Sequence, residues 1–219
     1  MANKDGGINM NKGDKMIMVV KRDHLFQDDC FEGFKGYEEI DYSSRILKNF
    51  EYKKRKLAEK DSLYKQPIGY CLIVNPELKQ AFAYQRSSED SKYFEKRLQG
   101  KWSWGLGGHI GQSDAKEGNP IHSSMLRELK EEVEVEMKRK PKVLGYINDD
   151  RDEVGKVHFG ILYLIETNSK IVKPKDLEIN RGELMPIEKL ERICSSPDFI
   201  VEEWSKMSLD PLKSYLRVA

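Results

Sequence analysis

Downstream of a Gly107-Gly108 pair, the chain carries the run Arg127-Glu128-Leu129-Lys130-Glu131-Glu132. On a helix, at ~100° per residue, Glu128, Glu131 and Glu132 stand at i, i+3 and i+4 and share one face. Met125, Leu126, Leu129 and Val133 form an apolar stripe on the neighbouring face. One side of this helix must therefore be core and the adjoining side acidic. Asn119 is suited to cap its start and Pro120 to sit in its first turn. A solvated helix pays only about 0.2–0.5 kcal/mol per like-charge pair. Carboxylates converging beside a glycine turn are, however, also how a hard divalent cation is held, because Mg²⁺ takes oxygen ligands and keeps several waters.

The flanking sequence predicts a sheet around that helix. Met16 to Val20 reads as a first strand, and Ile68–Asn75 with Gln80–Arg86 as a hairpin across Pro76-Glu77. Lys101 to Ile110 holds three glycines among apolar residues, the pattern of a strand that turns sharply while its backbone closely approaches something. Val143–Asn148 and Lys156–Glu166 read as two more strands, joined by the acidic turn Asp149 to Glu153. Between Tyr42 and Leu63, the spacing of Ile46, Phe50, Leu57 and Leu63 predicts one basic amphipathic helix. Two closing helices are predicted near Ile187–Cys194 and Phe199–Met207. Strands, a central helix, strands and closing helices together give an α/β class with a mixed sheet and helices on both faces. Residues 1–15 read as a disordered leader, 16–66 as an N-terminal extension packing on the core, and 67–219 as the main domain.

Composition narrows the function classes. A formal net charge of +1 gives no global attraction to nucleic acid or to an anionic membrane. The basic stretch Lys48 to Lys60 is interspersed with Glu51 and Glu59, as in a solvated face. No apolar run approaches the roughly 18 residues needed to span a bilayer, and Met1 to Lys15 lacks the apolar core of a signal peptide. Cys30, Cys71 and Cys194 show no Cys-x-x-Cys spacing, so neither a zinc framework nor a disulfide set is expected. A reduced, cytoplasmic setting follows.

The run Arg-Glu-Leu-x-Glu-Glu behind a Gly-Gly turn resembles the Nudix box. In that box a glycine, five residues, a glutamate and seven residues precede Arg-Glu-aliphatic-x-Glu-Glu-x-Gly-aliphatic. Gly108, Arg127, Glu128, Leu129, Glu131, Glu132 and Val135 match. Asp114 stands where the first glutamate belongs, followed by twelve residues instead of seven, with Glu117 as a competing candidate. Glu134 replaces the final glycine, so the helix must run on or close differently. Lys65-Gln66-Pro67-Ile68, Gly107-Gly108-His109-Ile110 and Val154 to His158 resemble a subgroup described as predicted phosphoesterases.

The resemblance implies a Nudix-like α/β/α sandwich and a Mg²⁺-dependent hydrolase, with Mn²⁺ able to substitute, cleaving a phosphoanhydride in a nucleoside diphosphate-linked small molecule. It implies Glu128, Glu131, Glu132 and the Gly107 carbonyl as metal ligands, and Arg127 as the group orienting the acidic cluster. Glu131 and Arg127 then count among the catalytic residues. The base is sought on the acidic turn, at Asp149, Asp150 or Glu153, with Glu183 as a second candidate. Arg86, Trp104 and His109 are candidate substrate contacts, although aromatics in strands are more often packing, and His109 and His158 suit structural hydrogen bonds. The altered box also motivates a degraded domain that senses a nucleotide metabolite. Gln85-Arg86-Ser87, Trp104 and Gly108-His109 resemble isopentenyl diphosphate isomerase more faintly, and none of the three cysteines stands where that enzyme's catalytic cysteine would. Neither nucleic acid nor membrane is expected as a partner, and a homodimer is left open.

Overall fold

Tyr64–Asn75 is buried on both faces, and its side chains divide by parity. Cys71 and Ile73 enter one apolar cluster while Tyr70, Leu72 and Val74 enter another, as alternation along a central strand requires. The computed structural model describes residues 12–87 and 99–218. In chain order the elements are β1 (Met16–Lys21), α1 (Arg22–Phe26), β2 (Gly33–Gly36), α2 (Tyr42–Asn49), β3 (Phe50–Lys54), α3 (Arg55–Ala58), β4 (Tyr64–Asn75) and β5 (Gln80–Arg86). There follow β6 (Trp102–Ser103), β7 (Gly105–Leu106), α4 (Pro120–Glu132), β8 (Val133–Glu134), β9 (Lys142–Asn148), β10 (His158–Glu166), β11 (Lys173–Pro174), β12 (Ile179–Pro186), α5 (Ile187–Ser195) and α6 (Glu203–Val218).

The main path of the sheet runs β12-β5-β4-β10-β9-β2, with β1 and β7 also on β4, β6 on β5 and β3 on β1. β4 and β10 pair in parallel and their other neighbours are antiparallel, so the sheet is mixed. Met125 and Leu129 of α4 fill the cluster on one face, and Leu190 of α5 with Leu209, Leu212 and Leu216 of α6 fill the other. The result is an α/β/α sandwich.

The segment from Tyr42 to Leu63 departs from the expected single helix. It breaks into α2, β3 and α3, and β3 pairs along β1 from Met16↔Lys54 to Val20↔Phe50. Phe50, Glu51 and Tyr52 alternate as a strand does, and bonding to β1 outweighs their helical spacing. Leu57 and Leu63, counted in the helical stripe, are exposed. The last helix begins at Glu203, later than expected, because Val201 instead bridges Trp102. Strand β10 begins at His158 after a short turn of 3₁₀ helix over Gly155–Val157. Of the expected leader, residues 1–11 lie outside the described residues, while Lys12–Asp14 forms a 3₁₀ turn.

Candidate functional site

Helix α4 starts as its sequence implies. Asn119 Oδ1 accepts the Ile121 and His122 N–H groups at 3.0 and 3.3 Å, and Pro120 occupies the first turn. The end explains how Glu134 replaces a glycine. The chain leaves through Val133 in an extended conformation (φ −142°, ψ 159°), and β8 pairs with β11. No left-handed residue is needed there.

The glycine turn is shaped by what lies against it. A Cβ on Gly107 would stand 2.3 Å from the Gly69 carbonyl oxygen of β4, and one on Gly108 would stand 2.4 Å from Glu128 Oε1. At Gly107 only bare backbone fits against the strand, whereas a side chain at Gly108 would have to push the Glu128 carboxylate aside. The Gly107 N–H lies near enough to the Glu132 carboxylate to lower it slightly. Arg127 organises the rest. Its Nε and Nη2 grip Asp114 Oδ1 and Oδ2 at 2.8 and 3.0 Å, while Nη1 reaches Glu128 Oε1 at 2.6 Å and Glu131 Oε2 at 3.3 Å. Nη2 also donates to the His109 carbonyl at 3.2 Å, tying helix to turn. Asp114 is thus the acid that Arg127 holds; the side chain of Glu117 lies outside the described residues.

Charge is unevenly compensated across this face. Burial raises the Asp114 carboxyl, but the Arg127 hydrogen bonds and the Gly111 N–H outweigh it and hold it below its ordinary value. Glu128 is raised, by burial more than Arg127 lowers it. Burial pushes Glu132 up to about 8 against the pull of Arg86, with the Glu128 and Asp176 charges adding to the rise. Glu131 stands out in solvent. Among the described residues no three His, Cys, Asp or Glu side chains meet at metal-ligating distance. Arg127 occupies part of that space.

The other expected site residues separate. Arg86 lies near enough for its charge to act on Glu132, while its Nε donates to Glu202 Oε1 at 2.5 Å. His109 lies at the turn, its Nε2 2.8 Å from Gln66 Oε1 and 3.3 Å from His158 Nε2, and burial drives its basicity well down. Trp104 belongs elsewhere. It is 1% exposed, in the cluster beneath α6, with Nε1–H donating to Ser208 Oγ at 3.1 Å. Between β6 and β7 it packs on the sheet face opposite α4, so in this arrangement no substrate ring can stack on it. Tyr84 is likewise buried, its hydroxyl donating to the Gly105 carbonyl. Residues 88–98, in the charged stretch between Ser87 and Gln99, lie outside the described residues.

The acidic turn is also engaged. Asp150 accepts from Lys65 Nζ at 2.7 Å and from Arg22 at 2.7 and 3.1 Å. Burial raises its carboxyl, but both cations overcome this and hold it well below the carboxylate range. Asp149 is lowered first by its hydrogen bonds to Arg151, at 2.8 and 2.9 Å. Carboxylates held ionised by such partners are weak proton acceptors, which weighs against a base at either position. Glu153 pairs with Lys156 at 2.5 Å and Glu183 with Lys189 at 2.9 Å, both exposed.

Sequence reasoning missed two contributions. Lys65 is fully buried, with Nζ also donating to the Gly155 and His158 carbonyls, and burial brings it down to about 8. The segment before β4 walls the turn, since Met18 N–H donates to the Ile110 carbonyl at 2.7 Å and Ile17 bridges Gly111. Lys65 stood in a stretch singled out by resemblance; the reach of β1 to the turn had no local signal.

No family model matches the chain. Against curated proteins it is 34% identical over 220 residues to protein YmaB of Bacillus subtilis, covering 93% of this chain and all of that one. Among solved structures it resembles Tm1382, described as a candidate Nudix hydrolase, with a TM-score of 0.74 at 26% identity over 92% of this chain and 100% of that one. The chain belongs to the Nudix superfamily. The Nudix domain of Shewanella oneidensis NrtR, solved with ADP ribose, shares the fold at a TM-score of 0.50 and 14% identity over 71% of this chain and 89% of that one. The turn Gly107-Gly108 and the acidic face of α4 are the elements whose sequence resembles the Nudix box. No helix among the described residues is long and apolar enough to cross a membrane.

Proposed function

We propose that this protein is a divalent-metal-dependent Nudix pyrophosphohydrolase that cleaves a phosphoanhydride in a nucleoside diphosphate-linked or related small molecule. One observation carries the reading: Glu128 and Glu132 are half-buried against a turn that has no side chains, and burial raises both carboxyls. Arg127 compensates Glu128, while Glu132 faces the charge of Arg86 from a distance and one backbone N–H. Carboxylates held at such a cost, with oxygen donors alone, fit a hard cation of the Mg²⁺ or Mn²⁺ kind. Glu128, Glu131, Glu132 and the Gly107 carbonyl would hold it. When bound, the ion would neutralise the diphosphate and lower the pKa of a water.

The chain's own groups then have separate tasks. Arg127, clamped on Asp114, orients Glu128 and Glu131 and fixes the turn through the His109 carbonyl. Arg86, at the edge of the acidic face, is placed to meet substrate charge. His109 lines the turn. Trp104, Asp149 and Asp150 have no part.

A second reading, a domain that binds a nucleotide metabolite without cleaving it, draws on the lack of three converged carboxylates among the described residues. The isomerase reading has no support. Cys71 is buried in the core beneath α4, Cys30 is exposed on another segment, and Cys194 lies in α5. A screen of dinucleoside polyphosphates, nucleotide sugars, ADP ribose and nucleoside triphosphates with Mg²⁺ or Mn²⁺ tests the choice. Hydrolysis of one class, abolished in Glu132→Gln, is expected. Binding without hydrolysis would favour the second reading, and activity unchanged in both Glu132→Gln and Glu131→Gln would discard the proposed ligands.

A further inference from the structure

We propose that His109, His158 and Gln66 form a site for a borderline first-row transition ion, Zn²⁺ or its neighbours Co²⁺ and Ni²⁺. It is separate from the carboxylates of α4 and independent of the hydrolase reading. Backbone pairing assembles it. His158 opens β10 directly opposite Gln66 on the parallel strand β4, and His109 lies beside them through its bridge to Ile68.

The two spacings around His109 Nε2 are those of ligands sharing an ion. His158 Nε2 and His109 Nε2 are 3.3 Å apart, and Gln66 Oε1 is 2.8 Å from His109 Nε2. Two imidazole nitrogens each ~2.0–2.1 Å from a tetrahedral ion stand about 3.3 Å apart, and an oxygen at a tighter angle stands about 2.9 Å away. A hydrogen-bonded triad accounts for them less well. His158 Nδ1 lies 2.7 Å from the Val154 carbonyl, which only accepts, so the neutral ring carries its proton there and its Nε2 is bare. His109 then offers one N–H, which Gln66 Oε1 takes at the better distance, leaving His158 Nε2 a stretched contact. Turning the Gln66 amide over would instead place two bare imidazole nitrogens face to face. The Gln66 side chain is fully buried and its amide nitrogen has no partner, so the oxygen end alone orients it towards the two rings.

The surroundings match a metal-bound imidazole. A ligating histidine usually donates its second ring N–H to a carbonyl or carboxylate, as His158 does to Val154. Nearby cations are matched: Arg55 Nε lies 2.7 Å from Glu59, Lys65 Nζ 2.7 Å from Asp150, and Arg127 grips Asp114. Two neutral nitrogens and an amide oxygen suit Zn²⁺, Co²⁺ or Ni²⁺ better than Mg²⁺, and three protein ligands leave a position for water. An ion there would tie the turn after Gly108 to β4 and β10.

Calorimetric titration of Zn²⁺ into the full chain with Mg²⁺ in saturating excess tests the site. One equivalent should bind, and His158→Gln and His109→Gln should each weaken it about tenfold or more. The double variant His24→Gln/His122→Gln, which removes the other two of the four histidines, and Glu132→Gln should leave it unchanged. Because a strand variant can misfold, imidazole ¹⁵N spectra of the wild type supply the second readout. Zn²⁺ should move the His109 and His158 ring signals and spare those of His24 and His122. No binding in excess Mg²⁺, binding that follows His24, His122 or Glu132, or unmoved His109 and His158 signals would overturn the proposal.

Discussion

Two charged clusters on this molecule use the same side-chain types and come out oppositely. Around Asp150, Lys65 and Arg22 each donate to the carboxylate, which is held ionised well below its ordinary range. Around α4 one arginine serves Asp114, Glu128 and Glu131, while Glu128 and Glu132 are raised. The first cluster is balanced by the protein itself and joins the N-terminal segment to the turn before β10. In the second, burial outweighs compensation, the condition in which a bound cation gains most. The direction in which a carboxylate is displaced thus separates a structural ion pair from a candidate ligand more clearly than acidity in the sequence does.

Removing a partner from the balanced cluster should have the largest effect. Asp150→Asn leaves Lys65 buried with only carbonyl partners and should cost about 3–5 kcal/mol, read by urea unfolding at pH 7. Hydrolysis per folded molecule should change little. Loss of turnover with stability intact would instead place Asp150 in the chemistry. Glu132→Gln should invert that pattern, lowering kcat/KM by about a hundredfold or more while the urea midpoint holds or rises, because folding no longer carries the cost of burying a carboxyl that burial pushes up to about 8. A variant that loses stability and keeps its activity would erase the distinction between the clusters.

Smaller effects sharpen the same contrast. Trp104→Phe removes the donor to Ser208 and part of a buried ring, and should cost about 1–3 kcal/mol with KM unchanged. A raised KM at unchanged stability would return Trp104 to the substrate. The acid limb of the stability profile should carry the Asp150 signature. Its folded pKa lies below its unfolded value, so its contribution is full above the unfolded pKa, near ~3.9, and is lost as pH falls through the folded one. Stability of the wild type should fall in that window, and Asp150→Asn should flatten the fall. Identical slopes would show that the pair does not discriminate between folded and unfolded chain.

Much of this contrast was legible in part only. α4 could be read to its first residue because Asn119-Pro120, the apolar stripe and the glutamates all obey one helical period. β4 and β10 showed as continuous apolar runs, as strands buried on both faces must. β3 did not, since Phe50 and Tyr52 satisfy a helical spacing as well as an alternating one, and only pairing with β1 decides. β12 carries Arg181, Gly182 and Glu183 on an edge and lacks an apolar run. At the site, Arg127 and the glutamates lie close in sequence and announce themselves. Lys65 and Arg22 meet Asp150 across 85 and 128 residues, a separation that no local pattern spans. The burial of Trp104 beneath α6 was not legible, because the two-residue strands flanking it are too short to show which sheet face it takes.

The central claim, that the acidic face of α4 is a divalent-cation platform, is tested most directly by Mn²⁺ titration followed by electron paramagnetic resonance, comparing wild type with Glu132→Gln and Asp150→Asn. Saturable binding that is lost in Glu132→Gln and kept in folded Asp150→Asn is the expected result. Equal Mn²⁺ binding by wild type and Glu132→Gln, or no binding by either, would contradict it.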